Sequence, residues 1–125
     1  MSTSTLYDRV GGQDFFDQLV DKFYEAVQSD PLLRAMYPSD LTDAKRHLAL
    51  FLAQYWGGPA HYNDERGHPR LRLRHAPFDI TGAARDAWLV AMLGAIEALR
   101  GQLSDEDYND LRAYVDMAAH QLRNR

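Results

Sequence analysis

The chain has 125 residues, 46% of them hydrophobic and 26% charged, a balance typical of one ordinary globular domain spanning residues 1–125. Its net charge of -4 argues against a nucleic-acid-binding protein, because phosphate binding needs a basic surface. The absence of cysteine excludes disulfides and thiolate metal ligands.

The sequence gives no sign of a membrane span or a targeting segment. The first eight residues have neither a basic end nor an apolar run. The longest apolar run, residues 48–53, is far too short to cross a bilayer. Together with the lack of cysteine, this favours a cytoplasmic protein.

Four long segments carry hydrophobic residues at three- and four-residue steps, which predicts four amphipathic helices. They cover residues 13–28, 41–56, 81–100 and 104 to the C-terminal region. Thr81 is expected to cap the third of them. Four such helices must pack two against two to cover their apolar stripes, so we expect an all-α fold.

Shorter segments connect these helices. We predict short helices over residues 4–10 and 31–38, the second capped by Asp30. Residues 61–69 are polar and turn-rich, which predicts a surface loop. Residues 70–78 alternate arginine and leucine, but an isolated strand would leave its backbone unpaired, so we predict a short irregular helix there.

His75 is the first candidate functional residue. Pro77 restricts the backbone around it and can hold the imidazole in a fixed direction. A fixed neutral imidazole is suited to be an axial ligand of a metal or a haem. The alternative is that His75 only ends a short helix and caps its last carbonyl groups.

Two tyrosines raise a second question. Tyr24 brings a hydroxyl to the apolar stripe of the first long helix, and Tyr37 lies in the short helix after it. A buried hydroxyl needs a hydrogen-bond partner. The partner can be an acceptor in the core or a ligand in a pocket, and the residues alone leave both open.

A series of short motifs, in a fixed order, resembles the bacterial truncated haemoglobins of the second group. The resemblance covers nearly the whole chain. Its motifs are Leu6-Tyr7-Asp8, Val10-Gly11-Gly12, Lys22-Phe23-Tyr24, Met36-Tyr37-Pro38, the run from Phe51 to Pro59, the run from Arg66 to Arg72, Arg74-His75-Ala76-Pro77-Phe78 and Arg85-Asp86-Ala87-Trp88-Leu89.

The resemblance implies a truncated globin fold, a two-over-two α-helical sandwich that holds one b-type haem without a covalent link. It assigns His75 as the proximal iron ligand. Tyr24, Tyr37 and Trp88 are then expected around the gas ligand on the distal side. The remaining residues that it assigns to the ligand pocket or the haem are Ala44, His47, Leu48, Phe51, Tyr55, Tyr62, Arg74, Phe78 and Met92.

His47 departs from the family pattern. Close relatives often carry an arginine there that reaches a haem propionate. A histidine is shorter and only sometimes charged, so Tyr62 and Arg74 are expected to anchor the propionates instead. Arg70 and Arg72 are interpreted as a solvated face.

The implied function is binding of dioxygen, and of carbon monoxide and nitric oxide, with slow release caused by the distal donors. The alternative is a haem-dependent redox enzyme, a nitric oxide dioxygenase or a weak peroxidase, served by an unidentified electron donor. Both are compatible with a monomer or a homodimer. Two rival classes also remain: a zinc protein using His61, His68 and His75, and a haem-free helical interaction module.

Overall fold

The structure, a computed structural model, describes residues 4–70 and 80–124. Those residues form helices and connections without any strand, which confirms the predicted all-α fold. The helices are α1 (Leu6–Arg9), α2 (Gln13–Ser29), α3 (Pro31–Arg34), α4 (Thr42–Tyr55), α5 (His61–Arg66), α6 (Gly82–Ala98) and α7 (Asp105–Leu122), with a 3₁₀ turn at Arg100–Gln102. His75, Arg74, Phe78 and the irregular helix expected around them lie outside the described residues.

Side-chain caps fix where three helices begin. Asp30 accepts hydrogen bonds from two backbone N–H groups in the first turn of α3. Thr81 and Ser104 do the same, with one bond each, at the starts of α6 and α7. Each cap satisfies N–H groups that have no partner within the helix, so the predicted starts are confirmed.

Two predicted helices extend too far at their C-terminal ends. Helix α3 ends at Arg34 rather than near Pro38, because Arg34 folds back and its guanidinium donates to the carbonyls of residues 37, 38 and 39. These bonds satisfy the carbonyls of a turn in place of a further helical turn. Helix α6 ends at Ala98, and the 3₁₀ turn that follows covers the residues expected to complete it.

The prediction of a loop over residues 61–69 is wrong for residues 61–66, which form α5. Two hydrogen bonds to α4 help to hold this short helix. The side chain of Gln54 on α4 accepts from the backbone N–H of Asn63 at 3.0 Å and donates to the Asn63 side chain at 3.1 Å. Tyr62 points inward and is 5% exposed, so α5 contributes one aromatic ring to the interior while its other side chains stay exposed.

The four long helices form two layers, as the two-over-two arrangement requires. Helix α2 packs against α4 and against α6, and α6 packs against α7. The fully buried side chains between them are Phe15, Phe16, Leu19, Val20, Phe23, Val27, Leu33, Met92, Ile96 and Leu111. The core therefore lies along the faces that the hydrophobic periodicity predicted.

One ion pair joins the first helix to the start of the last helix. Arg9, at the end of α1, donates from Nη2 to Oδ1 of Asp107 at 2.9 Å and from Nε to both carboxylate oxygens. The Asp107 side chain is 4% exposed, in the first turn of α7. A buried carboxylate needs such a partner, so the pair fixes α1 against the start of α7.

Among the helices of the described residues, none combines the length and the apolar character that crossing a bilayer requires.

We expect the variant Phe16→Ala to lower the free energy of unfolding by about 3–5 kcal/mol, because the ring is fully buried and its removal leaves a cavity. Val90→Ala is the control, since Val90 is 72% exposed on α6 and should change stability by no more than about 0.5 kcal/mol. Urea unfolding followed by circular dichroism measures both. A loss for Phe16→Ala as small as the control's would contradict the core described above.

Candidate functional site

A large apolar cavity opens among α2, α4, α6 and α7. It has about 890 Å³ of empty volume, which includes open solvent. Cofactor and ligand sites are commonly concave and mostly apolar, as this cavity is. The lining residues are Tyr24, Tyr37, His47, Leu48, Phe51, Leu52, Tyr62, Trp88, Met92, Tyr114, Val115, Ala118 and Leu122.

Helical spacing explains why these side chains meet. On α4, His47 and Phe51 are four residues apart, and Leu48 and Leu52 repeat the same step one residue later. On α7 the lining positions follow steps of three and four. Positions with this spacing share one face of a helix, so each helix presents a continuous apolar wall to the cavity.

Tyr24 and Tyr37 form a pair in the cavity wall. Their ring centroids are 5.5 Å apart and their planes nearly perpendicular, at 83°. Burial raises the pKa of Tyr24 far above its ordinary value and raises the pKa of Tyr37 to about 12. Both phenols therefore stay neutral near neutral pH, and a hydrogen bond joins the two side chains.

Trp88 brings a third donor to the same cavity. It projects from α6, and its ring meets the ring of Phe23 at 5.9 Å in an edge-to-face contact. An indole N–H can only donate. Three donors from three different elements, namely α2, the turn after α3 and α6, thus line one apolar space.

His47 lies at the cavity wall and meets Arg66 from α5. The distance between Arg66 Nη1 and His47 Nδ1 is 2.7 Å. Since a guanidinium can only donate, His47 accepts in this contact, and its imidazole is neutral there. Burial, and then the charge of Arg66, lower the pKa of His47. The positive charge at this edge therefore belongs to Arg66, which the sequence analysis did not select because it assigned α5 to a loop.

Some residues that the resemblance assigned to the ligand pocket or the haem do not line the cavity. Ala44 is half-buried against the core, and the lining leaves it out. Tyr55 is 51% exposed and lines a smaller recess beside the cavity, where its ring packs on Tyr114 at 4.2 Å. His75, Arg74 and Phe78 lie outside the described residues, so their assignments remain predictions.

Five lining residues did not enter the predicted site: Leu52, Tyr114, Val115, Ala118 and Leu122. Four of them belong to α7, whose stripe was predicted as plain core. Tyr114 carried a usable signal, because it is a polar-tipped residue on an apolar stripe, as Tyr24 is.

Within residues 4–70 and 80–124, no three histidine or acidic side chains gather to hold a metal ion. His61 and His68 are exposed at the surface there. The zinc hypothesis also needs His75, which lies outside that part of the chain.

Comparison with known proteins identifies the family. The model of the bacterial-like globin family matches residues 5–124. The chain belongs to this family. It is 49% identical over 96 residues to a group 2 truncated haemoglobin from Bacillus subtilis (strain 168), covering 75% of this chain and 73% of that protein.

Solved structures agree with this assignment and with the two-over-two fold. The haemoglobin of Chloroflexus aurantiacus superposes with a TM-score of 0.93 at 44% identity, covering 98% of this chain and 100% of the other. The truncated oxygen-avid haemoglobin of Bacillus subtilis superposes with a TM-score of 0.89 at 42% identity, covering 97% and 100%. The chain is therefore a truncated haemoglobin of the second group, and its family implies haem-based binding of diatomic gases.

The described residues fit a haem. The walls are aliphatic and aromatic, as a porphyrin plane requires, and the few polar groups are neutral hydroxyls, one indole N–H and the His47 edge. Arg66 gives that edge a positive charge of the kind that carboxylate groups prefer.

We expect Arg66→Gln to raise the pKa of His47, because the substitution removes a neighbouring positive charge that disfavours the imidazolium. Arg85→Gln on α6 is the control and should leave the His47 titration unchanged. The ring-proton shifts of His47 in an NMR titration measure the effect. An unchanged or lower pKa in Arg66→Gln would show that the contact between the two side chains is absent in solution.

Proposed function

We propose that this chain holds dioxygen, and also carbon monoxide and nitric oxide, on one b-type haem whose iron is ligated by His75. We further propose that the three distal donors make release slow. The observation that carries this proposal is the convergence of Tyr24, Tyr37 and Trp88 on one apolar cavity.

The bound haem would supply an iron atom at which a diatomic gas can be held. The residues of the chain supply what surrounds that gas. A hydrogen-bond donor stabilises negative charge, and it does so more strongly where water is excluded. Tyr24 is 3% exposed, and its high pKa keeps its proton in place.

Each donor adds about 1.5–3 kcal/mol when its acceptor carries charge. That range corresponds to about ten- to a hundred-fold in affinity, expressed mainly in the off-rate. Three such donors favour a protein that retains its ligand over one that delivers it. The truncated haemoglobin of Bacillus subtilis is oxygen-avid, which supports this direction.

His75 remains a proposal drawn from the family resemblance. The zinc hypothesis used His61 and His68 together with His75, and the first two are exposed at the surface. Arg74 and Tyr62 are proposed propionate contacts, together with Arg66, and Tyr62 lies in the cavity wall. The electron donor that keeps the iron reduced is unidentified, and both a monomer and a homodimer are compatible with the proposal.

We expect Trp88→Phe to raise the dioxygen off-rate about ten- to a hundred-fold, because an aromatic ring is kept while the N–H donor is lost. Trp56→Phe is the matched control, since Trp56 stands outside the cavity lining. Stopped-flow displacement of dioxygen by carbon monoxide gives both rates. Equal off-rates in the wild type and Trp88→Phe would remove the indole from the set of distal donors.

We expect His75→Gly to lose the carbon-monoxide-shifted Soret band of the reduced protein, and added imidazole to restore it by replacing the missing ring. His68→Gly serves as the control and should bind haem normally, because this residue is exposed. Visible spectra with and without carbon monoxide measure both variants. A normal spectrum of His75→Gly without imidazole would overturn the assignment of the iron ligand.

A further inference from the structure

Arginine is concentrated in one short stretch of this acidic chain. Residues 66–74, the basic segment, contain four of its fourteen basic side chains, and the next acidic residue along the chain is Asp79. The other ten basic residues are set against eighteen acidic ones. A chain with a net charge of -4 thus carries one strongly basic segment. Its arginines are Arg66, Arg70, Arg72 and Arg74.

The structure places the start of the basic segment at the edge of the cavity. Tyr62 and Arg66 are four residues apart on α5, so both side chains lie on one side of that helix. Tyr62 is buried in the cavity wall, whereas Arg66 is exposed and contacts His47 at the cavity edge. Arg70 is exposed as well, and the short stretch of chain between them keeps its Cα atom within about 14 Å of that of Arg66.

The acidic side chains of α5 lie apart from this edge or are bound elsewhere. Glu65 forms an ion pair with Arg46 of α4. Asp64 lies two residues before Arg66, which turns it toward a different side of the helix. The arginines are therefore exposed beside the cavity without a carboxylate of α5 placed between them and solvent.

Basic side chains elsewhere in the described residues meet carboxylates of the same protein. Such ion pairs are Lys45 with Asp21, Arg85 with Asp86 and Arg112 with Glu97. A paired charge attracts an external molecule weakly, because the opposite charge beside it cancels most of its field. The basic segment is therefore the part of this chain that most favours an acidic partner.

We propose that Arg66 and Arg70 form a docking surface for an acidic one-electron carrier protein, of the flavodoxin or ferredoxin class, which reduces the iron at the cavity edge. This inference rests on the proposed haem site and names the class of its electron donor. Opposite charges steer two proteins together and set their orientation without a large buried area. Electron-transfer encounters are small and transient, which suits an exposed edge of arginines.

A lipid surface fits this edge less well than an acidic protein does. Within the described residues, the large hydrophobic side chains that are exposed are Leu32, Tyr55, Val90 and Met117, and none of them belongs to α5 or to residues 67–70. Binding to a membrane surface combines basic residues with apolar side chains that enter the bilayer. The docking surface offers charge without such an apolar anchor.

The electron transfer balances without any change in bonding. The anionic flavin hydroquinone of a reduced flavodoxin gives one electron to ferric iron and becomes the neutral semiquinone. No bond forms or breaks, and no proton moves. Arg66 and Arg70 take no part in the redox step itself, because they only hold the carrier beside the cavity.

Binding of oxidised flavodoxin to the ferrous protein with carbon monoxide bound tests the docking surface without electron transfer. We expect an NMR titration of the isotope-labelled protein to shift the backbone amide signals of residues 66–70. Raising the salt from about 0.01 M to about 0.1 M should weaken binding at least about ten-fold, because the screening length falls from about 30 Å to about 10 Å. Shifts confined to α6 and α7, or binding that does not depend on salt, would overturn the docking surface.

Charge variants test the role of the arginines in the rate. Arg70→Glu should lower the second-order rate of reduction by flavodoxin hydroquinone about ten-fold at low salt, whereas Arg70→Lys should keep the wild-type rate. Arg112→Glu on α7 is the matched control, because it makes the same change of charge beside Glu97, and it should reduce as fast as the wild type. Stopped-flow absorbance measures each rate. A rate for Arg70→Glu equal to that of the wild type would overturn the proposal.

Two further measurements on the same preparation separate the remaining outcomes. Binding to phosphatidylglycerol vesicles with no response to flavodoxin would overturn the protein partner in favour of a lipid surface. A normal carbon monoxide spectrum without flavodoxin binding would overturn the docking surface alone. The absence of any haem band would overturn the gas-binding function and the docking surface together.

Discussion

The packing of α2 against both α4 and α6 is the constraint on which the rest of the structure depends. This helix buries seven side chains and packs against both α4 and α6. Tyr24 follows Phe23, which is fully buried, so the position of the phenol is set by core packing. A donor fixed in this way needs no reordering when a ligand arrives.

The cavity combines a large apolar wall with few polar groups, and burial controls the charge of each of these groups. It keeps the phenols of Tyr24 and Tyr37 protonated by raising their pKa values. It also keeps His47 neutral by lowering its pKa, with Arg66 acting in the same direction. The interior thus offers neutral donors, while a permanent positive charge stays at the edge, on a guanidinium that cannot lose its proton.

Hydrophobic periodicity was sufficient for the four long helices and for the residues of their buried faces, because each stripe extends over at least three turns. It could not find α5, since a six-residue helix with polar composition shows no stripe and is held by the side chain of Gln54. It also could not tell which residues of the α7 stripe lie in the core and which line the cavity. Tyr55 and Tyr114 show the same limit: both lie on apolar stripes, and periodicity alone does not tell that Tyr114 lines the cavity while Tyr55 is half exposed.

The two tyrosine pairs show how exposure gives the same side chain two different chemistries. Tyr24 and Tyr37 are enclosed, so a proton lost from either has no route to water, and donation to a ligand is the chemistry open to them. Tyr55 and Tyr114 share a closer ring contact, and Tyr55 reaches solvent.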